Sequence, residues 1–391
     1  MSMTKLLLSS AVVVGVCACG PAEEPQLSEF PDSQVAAANA DDQAVAFDAT
    51  TEQAATAAPF NINGTVVASS VKAVVIAEKL FKPTAMAFKP GDGSLWILNR
   101  GDDTTVVVDN PGKSTAKAAK FYDDSNHFMN NPTGIAFSPT KAEFAVSLDS
   151  INDYNGRAAG NYFTGPTLFT SDRRYFEGGT NSHYDMLHHS PKAMGIAVGA
   201  RPATGQADMR EYWVFNGNSG SVDRYFFNRP HQLGGDDHSD GITVRYATGQ
   251  LKRVAEAPSH LAFDVATRQL YLADTGSGRV VRLDTRTSLS TARRIPAYHA
   301  ETPLYEVPGT KVETVATGLG KPSGLLLVNG QLVVGEYATG HVKVLSTTGV
   351  VKGDLDTGLG ASALAGLAQG PDGKLYVLDG RGGRALRLDL Q

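Results

Sequence analysis

The residues with the clearest chemical potential lie in the segment GGDDHSDG, residues 234–241. This segment places three carboxylates around the imidazole of His238. Imidazole nitrogens suit zinc or copper, whereas carboxylate oxygens suit calcium or fix the tautomer of a ligating histidine. The alternative is an unliganded acidic loop, because Asp and Gly are also the ordinary residues of turns. The spacing matches no strong metal motif such as HExxH.

Three more histidines qualify as ligands on the same chemical grounds. We predict that His238, His260 and one of the adjacent pair, His188 or His189, surround one divalent metal ion, which is zinc, copper or calcium. The predicted metal ligands are therefore His188, His189, His238, His260 and Asp236. Asp237 and Asp240 are the candidate catalytic residues, because a carboxylate beside a metal-bound water can take its proton. This site requires a fold that brings distant segments together.

A pattern of short apolar runs recurs through most of the chain. Each copy holds three runs of four to seven β-branched or aromatic residues, bounded by Gly, Asp or Asn, which predicts strands rather than helices. The copies begin at Pro83, Pro132, Pro191, Pro258, Pro322 and Ala363. Copies roughly 40 to 70 residues apart are typical of propeller blades. One further strand before each proline, such as KVETVATG at residues 311–318, completes a four-stranded antiparallel blade.

The copies resemble NHL-type repeats, most clearly in RQLYLADTGSGRVVRLD, residues 268–284. The resemblance implies an all-β fold, a six-bladed β-propeller over residues 60–391. The last copy ends without an outermost strand, and VKAVVIAE at residues 71–78 belongs to no copy. We predict that these two segments pair, which closes the ring and covers two exposed sheet edges.

The segment PSHLAF, which contains His260, is similar to a blade start in peptidyl-hydroxyglycine amidating lyases. That resemblance implies a propeller with three histidines on zinc. In the lyases the histidine directly follows the proline, whereas Ser259 does so here. Because a shift of one residue turns a side chain to the other face of a strand, only the idea of a metal at the channel mouth is carried over.

The blade topology predicts which side chains share a rim. The segment leading into each blade and the turn between its second and third strands lie on one rim, together with His188, His189 and His260. The second-strand ends add Asn99, Asn216, Asp274, Glu336 and Asp379. Such a ring is the usual ligand site, although these residue types also suit tight turns. The segment at 234–241 reaches this rim only under one condition. The run ITVRYA, residues 242–247, must be an added strand, and the run LKRVAE, residues 251–256, must be the outermost strand of blade 3.

The N-terminus resembles a bacterial lipoprotein signal, with Lys5, an apolar run over residues 6–16 and then VCACG. We predict that residues 1–18 are removed and that Cys19 is lipidated; the alternative is an ordinary cleaved signal peptide. Residues 19–59 lack Lys and Arg and have no hydrophobic period, so we expect a disordered tether. Cys19 is followed by Gly20, not Asp, which favours the outer membrane of the cell envelope.

Charge and motifs exclude several classes of function. The net charge is −5 and no basic stripe appears, so nucleic-acid binding is not expected. No phosphate-binding or dinucleotide-binding glycine motif is present. Two hypotheses remain for this predicted monomer: a metal-dependent hydrolase or lyase, or a non-catalytic envelope propeller that binds a protein, peptide or glycan. The expected partner is an unidentified small molecule, peptide or glycan. The long run at residues 150–190 is either a wall of the site or a variable insertion.

Overall fold

The structure is a computed structural model, which describes residues 71–122, 129–139, 142–151, 165–177, 183–199, 211–226, 233, 241–255, 257–297 and 302–390. The predicted signal segment, Cys19 and the predicted tether lie outside these residues. Within them, no helix has both the length and the apolar character needed to cross a membrane. The described residues form six sheets, each with four antiparallel strands, as a six-bladed β-propeller requires, and one of the sheets carries two added strands.

Each of the first three blades begins with the strand nearest the axis. The N-terminal strand β1 is Val71–Ala77. Blade 1 contains β2 (Pro83–Phe88), β3 (Leu95–Asn99), β4 (Thr104–Asp109) and β5 (Lys117–Tyr122). Blade 2 contains β6 (Pro132–Phe137), β7 (Glu143–Leu148), β8 (Thr167–Thr170) and β9 (His183–Met186), with the short helix α1 (Arg173–Phe176) before β9. Blade 3 contains β10 (Ala193–Val198), β11 (Glu211–Asn216), β12 (Ser221–Phe226) and β13 (Ile242–Tyr246).

The remaining blades repeat this arrangement. Blade 4 contains β14 (Leu261–Asp264), β15 (Gln269–Asp274), β16 (Arg279–Asp284) and β19 (Glu313–Ala316). Between β16 and β19 the chain forms β17 (Arg293–Arg294) and β18 (Leu304–Glu306). Blade 5 contains β20 (Pro322–Val328), β21 (Gln331–Glu336), β22 (His341–Ser346) and β23 (Val351–Asp356). Blade 6 contains β24 (Leu364–Gln369), β25 (Leu375–Asp379), β26 (Arg384–Leu390) and β1.

The blades are held together by apolar packing between their faces. Six clusters of buried side chains each lie between two neighbouring blades, and together they account for all six interfaces of the ring. The interface of blades 6 and 1, for example, packs Met86 and Ile97 against Leu378 and Ala385. Inner and middle strands are therefore buried on both faces, whereas β5 is mostly exposed. The fourth strand of blade 6 is β1, which pairs antiparallel with β26 from Val71 opposite Leu390.

Blade 3 differs from the sequence prediction. The expectation that ITVRYA is an added strand is wrong, because β13 is the regular fourth strand and pairs antiparallel with β12. The segment LKRVAE is not the outermost strand; its described part contains only an isolated bridge between Val254 and Ala257. The added strands come from blade 4 instead, since β18 pairs in parallel with β13 and β17 pairs with β18. The run at residues 150–190 contains regular strands of blade 2, β8 and β9.

Candidate functional site

The inner strands approach the axis through small residues at their third position. The pairing registers make six residues equivalent at this position, namely Ala85, Gly134, Gly195, His260, Gly324 and Gly366. Five blades thus carry Gly or Ala where blade 4 carries an imidazole. A Cβ added to Gly366 lies only 3.1 Å from Cε1 of the His260 ring, so this glycine provides space for the ring. His260 is the one large side chain at this level of the channel.

The His260 ring spans the channel from blade 4 towards blades 1 and 2. Its Nε2 atom lies 3.1 Å from the carbonyl oxygen of Thr133, and because a carbonyl only accepts, Nε2 carries the proton. Burial lowers the pKa of His260 from 6.5 to about 4, although hydrogen bonds to the carbonyls of Thr133 and Thr84 act in the opposite direction. The imidazole is therefore neutral at neutral pH.

Hydroxyl groups fix the starts of the inner strands to one another. Thr84 donates to the carbonyl of Pro132, and Thr133 donates to the carbonyl of Ala193, both at 2.7 Å. Ser323 makes the same bond from blade 5 to the first strand of blade 6, also at 2.7 Å. Each of these three bonds joins one blade to the next, which explains the Pro-Thr or Pro-Ser pattern in blades 1, 2 and 5. In blade 4, Ser259 bonds the hydroxyl of Thr275, and Thr275 donates to the carbonyl of Pro322 in blade 5.

A cavity of about 310 Å³ extends along the axis from His260. Its lining comes from the inner strands of all six blades: Ala85, Met86, Ala87, Phe88, Gly134, Ile135, Ile196, His260, Leu261, Leu325, Leu326, Leu367, Ala368 and Gln369. Among the described residues, this lining contains no carboxylate, ammonium or guanidinium group. The inner strands are also unpaired on one side, so backbone N–H and C=O groups face the axis.

This cavity extends towards the rim opposite to the one predicted. We call the end at which inner strands begin the starting rim, and the other end the far rim. The first four residues of β2 and of β20 are buried, whereas the last two of β2 are partly exposed. Gln369, the last residue of β24, is also partly exposed. His260, which is itself partly exposed, lies at the starting-rim end of this cavity, and Phe88 and Gln369 lie at its far-rim end.

The predicted ring of polar residues on the starting rim stabilises the fold. Each of its side chains forms a hydrogen bond within its own blade or with the segment that leads into that blade; the residues are Asn99, Asn216, Asp274, Glu336 and Asp379. Three of them accept backbone N–H groups of the lead-in segments; the pairs are Asn99 with Phe81, Asp274 with Lys252 and Glu336 with Gly320. The turn-forming explanation is the correct one for these residues.

Blade 3 contains a buried ion pair at the starting rim. Both oxygens of Asp223 bind the guanidinium of Arg245 at 2.9 Å. Ser190 and Asn216 donate to the same carboxylate at 2.7 and 2.8 Å. Burial acts to raise the pKa of Asp223, but Arg245 and the other donors hold it below its ordinary value. This network fixes the segment that leads into blade 3.

His188 and His189 are part of this same buried region. The ring centroids of the two histidines lie 6.4 Å apart. His189 Nε2 lies 2.6 Å from the hydroxyl of Thr302, which belongs to the segment inserted in blade 4. The backbone of His189 has a φ of 81°, a value that favours glycine, so packing holds it in a strained conformation. The pair thus ties the insertion to blade 3.

The other predicted site residues lie outside the described residues: Asp236, Asp237, His238 and Asp240. The strands around them are described, and Phe226 at the end of β12 pairs with Ile242 at the start of β13. This pair lies at the far rim, opposite to the end at which His260 lies. Within the described ranges, no group of three or more His, Cys, Asp or Glu side chains is placed to hold a metal ion. A shared metal with His260 stays a prediction.

The small residues around His260 were missed by sequence reasoning. Aligning the copies on their first residue places Ala85, Gly134 and Gly324 opposite His260, whereas the copies that begin at Pro191 and Ala363 need a shift of two and of one position to place Gly195 and Gly366 there. That contrast was the available signal for a residue on the axis. The carbonyl partners of His260 had no such signal, because they belong to blades that are distant in the sequence.

Comparison with known proteins supports the fold. No family model matches the chain, and no curated protein matches it. Among solved structures, an auxiliary nutrient binding protein from Bacteroides thetaiotaomicron superposes with a TM-score of 0.54 at 11% identity, covering 82% of this chain and 76% of that chain. The PQQ-bound aldose sugar dehydrogenase of Streptomyces coelicolor gives 0.52 at 17% identity, covering 82% and 98%. A gluconolactonase from Xanthomonas campestris gives 0.50 at 13% identity, covering 83% and 91%. The chain is thus similar to propellers in fold.

Proposed function

We propose that the protein is a non-catalytic binding propeller, whose central channel takes up a neutral, largely apolar small molecule. The observation that carries this proposal is the cavity of about 310 Å³, bounded at one end by neutral His260 and lined by apolar side chains. Ligand sites typically have about 300–1,000 Å³ and combine apolar walls with a few polar groups. The three neighbouring structures are named as a binding protein, a dehydrogenase and a lactonase, so the fold accommodates binding and catalysis alike.

The lining selects the class of ligand. Transfer of an ion into an apolar channel without a charged partner is costly, and the described lining residues supply no such partner. An apolar cavity of about 150 Å³ holds benzene, so this channel has room for a ligand of roughly twice that size. Backbone N–H and C=O groups of the inner strands and the side chain of Gln369 are available for hydrogen bonds. A neutral molecule with an aromatic or branched body and one or two polar groups fits best.

The proposal is tested by titration with the neutral fluorescent dye N-phenyl-1-naphthylamine. Gln369→Trp narrows the far-rim end of the channel, and we expect it to weaken binding of the dye by about tenfold or more. The control is Gln331→Trp, which adds the same ring at the far rim on a second strand that does not line the channel. Equal affinities for the two variants, or no binding by the unmodified protein, would refute the proposal.

A metal-dependent reaction at residues 234–241 remains the alternative. The hydrolase or lyase hypothesis needs zinc, copper or calcium at His238 and its neighbouring carboxylates, which lie outside the described residues. Metal content of the purified, tag-free protein tests it directly. Stoichiometric metal that is lost in His238→Ala supports a metal site there, whereas metal-free protein that binds the dye supports the channel alone.

We further propose that the propeller is anchored to the bacterial cell envelope through Cys19. Support comes from the sequence: an apolar run of signal-peptide length ends directly before the cysteine pair, and a segment without Lys or Arg separates it from the propeller. A lipid-anchored binding propeller has its channel accessible from the periplasm or the cell surface, where neutral small molecules arrive by diffusion.

A further inference from the structure

Three lysines occupy one equivalent position on the starting rim. The carbonyls of Lys82, Lys192 and Lys321 accept the amide of the residue after the second strand of their own blade, at 3.1, 3.0 and 2.9 Å. The three residues also share the left-handed backbone conformation, with φ of 48°, 53° and 53°. They belong to blades 1, 3 and 5, which alternate around the ring. Three cationic side chains therefore start at evenly spaced points around the axis.

Two further cationic side chains, Arg100 and Arg253, lie between these lysines. Asp149, just after the second strand of blade 2, binds Arg100 of blade 1 at 3.0 Å and Arg253 at 2.8 Å. One carboxylate thus binds two guanidinium groups, and Asp103 is a second carboxylate close enough to Arg100 to interact with its charge. Within the described part of the chain, Nη1 of Arg100 and the hydroxyl of Ser150 are buried and make no hydrogen bond. Buried donors without partners are unfavourable and indicate a missing ligand or water.

The described carboxylates of this rim have hydrogen-bond partners other than the three lysines. Asp274 binds Arg279 and Asp379 binds Arg384, while Glu336 accepts from Gly320 and Thr339. Among the described residues, none of the three lysines forms an ion pair. Residues 60–391 contain 34 Lys or Arg and 32 Asp or Glu, so these lysines belong to a domain whose net charge is close to zero.

We propose that the starting rim binds a small multivalent anion bearing carboxylate or phosphate groups. The lysines contact separate anionic groups of the ligand, and Arg100 and Ser150 donate to one of them beside Asp149. Guanidinium and ammonium groups both bind carboxylates and phosphates, and the array of three favours a ligand with two or more charges over a monovalent one. This site is separate from the apolar channel, because His260 lies between them.

Calorimetric titration with citrate and with pyrophosphate at low salt tests the site. The triple variant Lys82→Asn, Lys192→Asn and Lys321→Asn removes the charges and installs the residue that blade 2 carries at the same position, Asn131, which has the same backbone conformation with a φ of 51°. We expect it to weaken binding by at least about fivefold. The matched control removes three exposed lysines elsewhere, in Lys113→Gln, Lys117→Gln and Lys352→Gln, and binds like the unmodified protein.

Each outcome decides the proposal. Tighter binding of citrate assigns carboxylates, tighter binding of pyrophosphate assigns phosphates, and either result supports the site. Absence of binding by the unmodified protein, or equal weakening by the two triple variants, overturns it. If the rim variant does not fold, the three single variants take its place, and each is expected to weaken binding about twofold. Binding of the neutral dye is unaffected by these substitutions, so failure here leaves the channel proposal untouched.

Discussion

Replacement of His260 by Gln is expected to remove a pH dependence of stability. Burial lowers the pKa of His260 from 6.5 in the unfolded chain to about 4 in the folded protein. The unfolded state therefore binds more protons between these values, and the folded state loses stability as the pH falls from 7 to 4. A difference of 2.5 pKa units corresponds to about 3 kcal/mol at pH 4. The Gln side chain has no proton to gain and keeps a donor for the Thr133 carbonyl.

The assay is urea unfolding at pH 7, 6, 5 and 4. The stability of the unmodified protein relative to His260→Gln should fall by about 3 kcal/mol across this range. The control is His341→Gln, because His341 lies on an outer surface beside Asp354 and not in the channel. Parallel pH curves for the unmodified protein and His260→Gln would show that the imidazole is not held neutral at the starting-rim end of the channel.

Three further changes test other parts of the structure. Asp223→Ala leaves the guanidinium of Arg245 buried without its carboxylate, so urea unfolding should show a loss of about 3–5 kcal/mol, whereas Asp284→Ala at an exposed pair should cost little. Deletion of residues 71–77 exposes the edge of β26, and size-exclusion chromatography should then reveal oligomers or aggregates; a monomer of unchanged stability would contradict the role of β1. Cys19→Ala should release the protein from the membrane fraction, whereas Cys17→Ala should stay acylated; continued acylation of Cys19→Ala would contradict the anchor assignment.

The fold could be predicted because its signals are local and repeated. Runs with strand propensity recur with turns between them, so six four-stranded blades follow without knowledge of long-range contacts. Blade 3 was mispredicted because a local pattern does not identify a strand's partner. ITVRYA and LKRVAE look alike in residue type, and nothing near β13 indicates that its outer neighbour is β18, about 60 residues later.

The site was harder to predict than the fold. Residue types identified His260 as a candidate, but its position on the axis and the blade 2 carbonyl beside its Nε2 depend on the fold. Polar residues at the second-strand ends were recognised as candidates, yet only the hydrogen bonds reveal that they hold lead-in segments. The lysines of the starting rim were missed because a single Lys before a strand carries no signal. Their significance comes from three equivalent positions on alternate blades.

In the proposed function, a neutral ligand occupies the channel between His260 and the far rim. Methionine-methyl NMR tests this claim directly, because Met86 lines the cavity whereas the buried Met129 and Met194 do not. Saturation with N-phenyl-1-naphthylamine is predicted to shift the Met86 methyl signal and to leave the signals of Met129 and Met194 in place. An unmoved Met86 signal at saturating dye, or equal shifts of all three signals, would contradict the claim.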